Sequence, residues 1–202
     1  MTYRSTLELY FHPLAFHVPS TGPPKPRPNA PISLHYTARH RPTNHPKDPP
    51  TTLRFFLQLL RATLHALPQC ETPVPALLAL ISSGWDTATD VAAAEHRLAL
   101  ETRTAARIIS DDRLAIESTL LLPKVRTKVR VAFELLATVG EGLQVRTATE
   151  VRGWVVYGEC YNEGFMRKFL GERVRGVAEG WGEAVREMRV ALVAKGAKGQ
   201  RK

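Results

Sequence analysis

Among the residue types that can act as a nucleophile, Cys160 has the most suggestive setting in this 202-residue chain. It precedes Asn162, a residue type that often begins a helix, and a helix N-terminus lowers the pKa of a nearby thiol. Nucleophilic catalysis also needs a general base, and no histidine lies near Cys160 in the sequence. We therefore favour a small buried cysteine. A thiol enzyme that uses Cys160 is kept as a hypothesis, ranked below a protein-interaction module and a nucleic-acid-binding domain.

Seven histidines raise the question of a metal site. Most of them recur at five-residue spacings in the first part of the chain: His12, His17, His35, His40 and His45. Zinc ligands are usually paired more tightly, as in C-x-x-C or HExxH, and no cysteine pair lies nearby. We predict ordinary polar histidines, with no metal and no cofactor.

Asp111, Asp112 and Glu117 form a cluster of carboxylates in the sequence. General acid–base catalysis needs two such groups facing one pocket. Adjacent aspartates directly before a strand are more typical of a turn. No catalytic residue is predicted here.

The strongest candidate for binding is a run in which basic and apolar residues alternate. Lys124–Phe133 is predicted to be a strand with an apolar inward face, comprising Val125, Val129, Val131 and Phe133. The opposite face would then carry four cations: Lys124, Arg126, Lys128 and Arg130. Such a row favours an acidic ligand, whereas a solvated outer sheet face explains it equally well. Both interpretations remain open.

The elements that would position these residues differ between the two parts of the chain. In the first part, alternation predicts strands over Thr6–Phe11 and Ile32–Ala38, separated by a proline-rich loop over 19–31. A second proline-bounded loop, 41–50, leads to a helix that begins at Thr51 or Thr52 as its cap and ends at Pro68.

The second part is predicted to open with a helix from Pro75 to about Glu101. The predicted strands that follow are Ala115–Leu122, Lys124–Phe133, Leu143–Thr149 and Val151–Tyr157, with a turn at Gly140–Gly142. Two helices close the chain, one starting near Asn162 and one over about Trp181–Ala194. Three tryptophans are predicted to anchor the core or helix contacts: Trp85, Trp154 and Trp181.

Composition limits the classes of protein that the chain can belong to. At 44% hydrophobic and 23% charged residues the chain is typical of a globular protein, and its net charge of +9 favours acidic partners. The region 76–120 is nevertheless acidic, which weakens a nucleic-acid function. Two distant cysteines and no long apolar run predict a reducing compartment and no membrane span.

Proline and glycine divide the chain into two predicted domains. Every proline except Pro123 lies at or before Pro75, and every glycine except Gly22 comes after Ser83. We place the boundary in Pro68–Pro75, which gives a unit over 1–70, a unit over 71–194 and a basic disordered tail over 195–202. Grouped strands flanked by helices predict the α+β class.

Four blocks of sequence resemble the C-terminal region of the fungal Spc-seven, or Blinkin (kinetochore-null-one), family of kinetochore scaffolds. They are RFFLQLLRATLHALPQ, SSGWDTA, ISDDRLAIESTLLLPKVRTKVRVAFEL and VVYGECYNEGFMRKFL, and the opening TYRSTLELYFHP fits the start of that region. The resemblance covers roughly Thr2 to Leu170 and carries no active-site residues.

The resemblance implies tandem RWD domains, each a small antiparallel sheet packed against helices. It also implies a place in the KMN network at the kinetochore in the nucleus. There the RWD pair binds a peptide tail of the Mis-twelve complex in support of chromosome segregation. This chain would then be the C-terminal fragment of a longer protein, with the first RWD unit incomplete or divergent.

Two alternatives to a peptide-binding module are weighed. RWD domains share their fold class with ubiquitin-conjugating enzymes, which carry His-Pro-Asn shortly before a catalytic cysteine. The His-Pro pairs here, His12-Pro13 and His45-Pro46, are followed by Leu14 and Lys47, so an enzyme is not predicted. A basic nucleic-acid-binding domain remains the main alternative, and Lys124, Arg126, Lys128 and Arg130 are the predicted partner-binding residues.

Overall fold

The computed structural model describes residues 2–3, 7–11, 31–37, 49–69, 71–158, 163–174, 176 and 178–199. Within these ranges the chain has four α-helices and two small antiparallel sheets packed with helices, so the predicted α+β class is confirmed. The strands are β1 (Thr2–Tyr3), β2 (Leu7–Tyr10), β3 (Ser33–Tyr36), β4 (Arg103–Ser110), β5 (Arg113–Leu122), β6 (Thr127–Val139) and β7 (Val145–Tyr157). The helices are α1 (Thr51–Ala66), α2 (Val74–Glu101), α3 (Glu163–Arg173) and α4 (Trp181–Gly199), with a 3-10 turn at Pro123–Val125.

Backbone contacts divide the chain into two compact units. The first unit comprises Met1–Asp86 and Thr138–Arg146, and the second comprises Thr87–Ala137 and Thr147–Lys202. The division in the first half of the chain therefore falls inside α2. The predicted domain boundary at 70/71 was drawn from the distribution of proline and glycine, whereas the two units are defined by backbone contacts. The boundary therefore stays a prediction. Most of the proline-rich loops 19–31 and 41–50 lies outside the described residues.

The first unit is built on the three-stranded sheet β1-β2-β3, in which Leu9 of β2 lies opposite Leu34 of β3. Leu7 and Leu9 are buried on one face of β2, as the alternation predicts, and Ile32 and Leu34 are buried at β3. Helix α1 packs against β3 and buries Phe55 together with an apolar stripe at the 3.6-residue period of a helix: Phe56, Leu57, Leu60 and Leu64.

The start of α1 corrects one prediction. The helix begins at Thr51, but its N-cap is Pro50, whose carbonyl accepts a hydrogen bond of 2.9 Å from the Arg54 amide. No side chain caps the helix, because Thr51 and Thr52 already lie in its first turn and Thr52 is buried in the core. The predicted end before Pro68 is confirmed.

Helix α2 runs without a break through Ser82-Ser83-Gly84, although glycine has a low helix propensity. An alanine-sized Cβ on Gly84 would lie 2.7 Å from Leu60 Cδ2 of α1, so the missing side chain lets the leucine fill this space. The Ser83 hydroxyl accepts a hydrogen bond of 3.1 Å from the Val145 amide. Close packing against Leu60 therefore explains why α2 contains Gly84, although glycine is unfavourable inside a helix.

The second unit contains the four-stranded sheet β4-β5-β6-β7. Its inward face is apolar and buried, and it includes the predicted Val129, Val131 and Phe133. Val125 is buried as predicted, but it lies in the 3-10 turn before β6 and not on a strand. The Phe133 ring stacks on Trp181 of α4 at 4.5 Å between centroids and 12° between planes. Met166 and Leu170 of α3 pack beside Gly153 of β7. Helices thus cover the inward face of this sheet.

Three elements differ from their predicted forms. Strand β4 is absent from the prediction, although Asp111-Asp112 is the turn that joins it to β5. The two strands predicted over Leu143–Thr149 and Val151–Tyr157 are one strand, β7, which continues through Glu150. Helix α4 continues to Gly199, past the predicted start of a disordered tail. Lys195 supports this extension, since its Nζ lies 3.3 Å from the centroid of the Phe165 ring of α3.

Gly158, just after β7, provides a test of the packing. Its φ is +109°, and an added Cβ would collide with Thr127 Oγ1 and lie 3.0 Å from Thr127 Cα. Gly142 also has a positive φ, of +77°, but nothing lies within 4 Å of its Cβ position. We expect Gly158→Ala to lower the free energy of unfolding by about 2–4 kcal/mol, because backbone strain and overpacking both act there.

Gly142→Ala serves as the control, because it introduces the same methyl group at a positive φ in open space. Its expected cost is about 1–2 kcal/mol. Urea unfolding followed by circular dichroism measures both values. Equal costs at the two positions would show that Thr127 does not restrict Gly158.

Candidate docking surface

The second face of the four-stranded sheet, called here the outer face, is polar. Strand pairing places Arg103 of β4 opposite Thr119 of β5, and Thr119 opposite Arg130 of β6. Directly opposed residues of antiparallel strands point to the same side, so these three side chains form a row across the sheet. In the next step along β5, Leu121 lies opposite Lys128 of β6. The outer face therefore combines cations with an exposed leucine.

The predicted row of four cations does not lie on one strand. Pro123–Val125 is a 3-10 turn, and Arg126 adopts the left-handed region with a φ of 46°. Pro123 fixes its own φ and has no amide hydrogen for a ladder, so the chain turns before β6 begins at Thr127. Lys124 and Arg126 are exposed in this turn, whereas Lys128 and Arg130 lie on β6 and are half-buried. Whether the four residues bind a partner stays a prediction.

Acidic side chains alternate with the cations on the outer face. Glu117 of β5 forms ion pairs with Arg107 at 3.3 Å and with Arg130 at 3.5 Å. The guanidinium of Arg130 also lies 5.8 Å from the centroid of the Trp154 ring on β7. Arg130 is thus partly neutralised within its own sheet, which limits what it offers to an acidic partner.

A second set of ion pairs lies nearer β7. Arg152 contacts Glu134 at 3.5 Å and Glu150 at 3.2 Å. The hydrogen bond from Arg152 holds the pKa of the exposed Glu150 carboxyl below its ordinary value, and the same bond raises the pKa of Arg152. Both groups are therefore charged at neutral pH. This part of the outer face has mixed signs, as a solvated sheet face usually does.

Cations that form no ion pair within the described residues surround a groove at the end of β5. The groove has a volume of about 450 Å³ and is lined by Arg103 of β4, Lys128 of β6 and Arg189 of α4, together with Leu100 and Leu121. The two leucines are exposed by 72% and 57%. Glu101 also lines the groove, but it pairs with Arg186 at 2.7 Å, which raises the pKa of that arginine. Sequence reasoning selected Lys128 alone from this set.

The sequence did not predict this groove, because it did not predict β4, the strand that contributes Arg103. RTAARIIS follows closely on the helical sequence of α2, and its polar and apolar residues do not alternate, so periodicity gave no signal for a strand. Arg189 lies far away in the sequence, on the exposed side of α4, and no local pattern connects it with Arg103. Leu100 lies in the last turn of α2, off the buried stripe that ends at Leu98, and an apolar residue there gives no sequence signal for a binding site.

The other candidates for chemistry have plain positions or lie outside the described residues. Asp111 and Asp112 are exposed in the turn between β4 and β5, where Ser110 Oγ donates a hydrogen bond of 2.6 Å to Asp112 Oδ1. The interpretation as a turn is confirmed. His35 lies in β3 and contacts the Tyr10 ring, with centroids 4.8 Å apart. The remaining predictions on cysteine, histidine and the α3 cap fall outside the described residues: Cys70, Cys160, His12, His17, His40, His45 and Asn162.

Two of the predicted tryptophan anchors, Trp85 and Trp181, are buried, while Trp154 is half-buried on β7. In the ranges that the structure describes, no three His, Cys, Asp or Glu side chains are grouped to hold a metal ion. No helix in those ranges is long and apolar enough to cross a bilayer.

Comparisons of the chain with protein-family models, with curated proteins and with solved structures yield no match.

Proposed function

We propose that the chain is a non-catalytic protein-interaction module that docks an outer-kinetochore scaffold onto the Mis-twelve complex. It would bind a peptide tail of that complex in the nucleus, at the kinetochore, and so support chromosome segregation. The proposal starts from the sequence blocks that resemble the Spc-seven family. The two small antiparallel sheets with helices are compatible with the tandem RWD domains that this family implies.

The observation that carries the proposal is that the four-stranded sheet has two edge strands, β4 and β7, beside a polar outer face. Among the described residues, β4 pairs only with β5 and β7 only with β6, so each presents one unpaired edge. An unpaired edge offers main-chain amides and carbonyls to an extended peptide, which can add to the sheet as a further strand. Helices cover the inward face, whereas the outer face beside these edges is exposed and charged.

The four predicted partner-binding residues fit this mechanism unequally. Lys124 and Arg126 are exposed, and neither has an ion pair within the described part of the chain. Arg130 is already paired with Glu117. Unpaired surface cations steer an acidic partner and set its orientation more than they add affinity. We therefore assign Lys124 and Arg126 to the approach of an acidic tail.

A retention experiment with purified Mis-twelve complex tests the proposal. The complex should bind the immobilised chain at moderate salt, and the double variant Lys124→Glu/Arg126→Glu, which replaces attraction by repulsion, should slow association with the complex by about tenfold or more. Lys168→Glu is the control, since it reverses one exposed charge on α3, a helix that covers the inward face. No retention of the complex by the unmodified chain would reject the proposed function.

A basic nucleic-acid-binding domain is the second candidate, and the net charge of +9 favours it. Phosphate binding would require cations that are free to release counterions, with affinity that falls steeply as salt increases. The ion pairs of Glu117, Glu134 and Glu150 reduce the number of such cations on the outer face. A gel shift with unrelated duplexes at low salt distinguishes the two candidates.

A further inference from the structure

We infer that the groove between β4, β6 and α4 binds an extended acidic peptide through one apolar side chain flanked by carboxylates. The inference rests on the proposed function in one respect, that the chain works by binding a peptide. It goes further by naming a site, and its main residues are Arg103, Arg189, Leu100 and Leu121. Of the predicted partner-binding residues, only Lys128 belongs to it.

The three cations of the groove have no acidic partner among the residues that the structure describes. Within the described residues, none of the seven ion pairs involves Arg103, Lys128 or Arg189, whereas the acid in the lining, Glu101, is held by Arg186. The guanidinium Nε of Arg186 also donates a hydrogen bond of 3.0 Å to the same Glu101 oxygen. A group of cations around one groove creates a positive potential that an acidic ligand relieves.

The apolar part of the lining determines which kind of anion fits. Leu100 and Leu121 are among the most exposed large apolar side chains in the described residues, and both face one groove. Covering a leucine gains free energy only when the ligand has apolar surface of its own. A free phosphate or a nucleic-acid backbone has little such surface. A peptide with a leucine or valine between Asp or Glu residues satisfies both the cations and the leucines.

The neighbouring strand determines how such a peptide can lie. The edge strand β4 begins at Arg103, inside the groove lining, and its second side is unpaired within the described residues. A peptide that adds to this edge has alternating side chains, so every second one points to the outer face. Carboxylates and one apolar side chain on that side would then reach the groove together.

Selection from a displayed library of random linear peptides on the whole chain tests the inference. We expect the enriched peptides to share an apolar residue flanked by Asp or Glu. Their affinity, measured by fluorescence anisotropy on labelled synthetic copies, should fall about tenfold in each of Arg103→Glu and Arg189→Glu, since each removes a charge-assisted contact. Leu100→Ser should cause a loss of similar size, about tenfold, through lost apolar burial.

Lys168→Glu is the matched control, because it makes the same charge change on an exposed part of α3 and should alter affinity by less than about twofold. All four positions are exposed, and circular dichroism checks that each variant folds. The inference is overturned by a selection that enriches nothing or that enriches peptides without acids. It is also overturned by equal losses at Lys168 and the groove, or by a DNA duplex that binds at the groove independently of Leu100.

The selection uses no Mis-twelve complex, so its result is separate from the retention experiment. Loss of retention with a positive selection would reject the kinetochore partner and keep the groove. Retention that is insensitive to Arg103→Glu and Arg189→Glu would keep the proposed function and reject the groove as its site.

Discussion

Replacement of Trp181 by alanine is expected to lower the free energy of unfolding by about 3–5 kcal/mol, the largest effect of any single substitution considered. Trp181 is fully buried at the start of α4, and its ring stacks on the equally buried Phe133 of β6. Removing the indole leaves a large cavity between the helix and the inward face of the sheet. Urea unfolding followed by far-UV circular dichroism measures the change without relying on tryptophan fluorescence.

Trp181→Phe separates the contribution of the ring from that of its polar atom. The Trp181 Nε1 is buried, and none of the described residues accepts a hydrogen bond from it. Phenylalanine keeps an aromatic ring against Phe133 and removes this unpaired donor, which by itself costs about 1–3 kcal/mol in a buried site. We expect Trp181→Phe to cost less than half as much as Trp181→Ala. Equal costs would mean that the stacked ring is not what stabilises this contact.

The second large effect is expected at Gly84, where α2 meets Leu60 of α1. Gly84→Val should destabilise the protein by about 1–3 kcal/mol, because its Cβ would lie 2.7 Å from a leucine that is fully buried. Leu60→Ala alone should cost about 2–5 kcal/mol through the cavity that it creates. In the double variant valine occupies part of that cavity, so the combined cost should be smaller than the sum of the single costs.

Gly171→Val is the matched control for Gly84→Val. Gly171 lies in α3, and nothing lies within 4 Å of its Cβ position. The same substitution there should be close to neutral or slightly stabilising, because valine has a better helix propensity than glycine. If the costs of Gly84→Val and Leu60→Ala simply add, the two positions do not share the space that the distances indicate.

Local patterns predicted the long elements well. The 3.6-residue stripe of α1, the extent of α2 with Pro75 in its first turn, and the buried inward face of β6 all follow from periodicity and from proline chemistry. Burial of Val125, Val129, Val131 and Phe133 was predicted by alternation alone. These features depend on neighbours in sequence, which is why a single sequence was enough to predict them.

The alternation of basic and apolar residues gave a wrong prediction where it continued across a turn. Lys124 and Arg126 continue the spacing of Lys128 and Arg130, yet they lie in and after a 3-10 turn that Pro123 begins. Pro123 was the local signal that the strand ends there. The turn that it begins extends to Arg126, whose left-handed conformation leads the chain into β6. Period-two spacing alone therefore overstated the row of cations.

The sequence by itself determined the α+β class, the helices with strong periodicity and the basic character of the chain, because each depends on composition or on neighbours within a few residues. Only the tertiary structure decided which charges remain free. Glu117 neutralises Arg107 and Arg130 because strand pairing brings three strands together, while Arg103, Lys128 and Arg189 meet around one groove from distant parts of the chain. The physical reason is that an ion pair depends on distance in space, and a one-dimensional pattern contains that distance only within a single element.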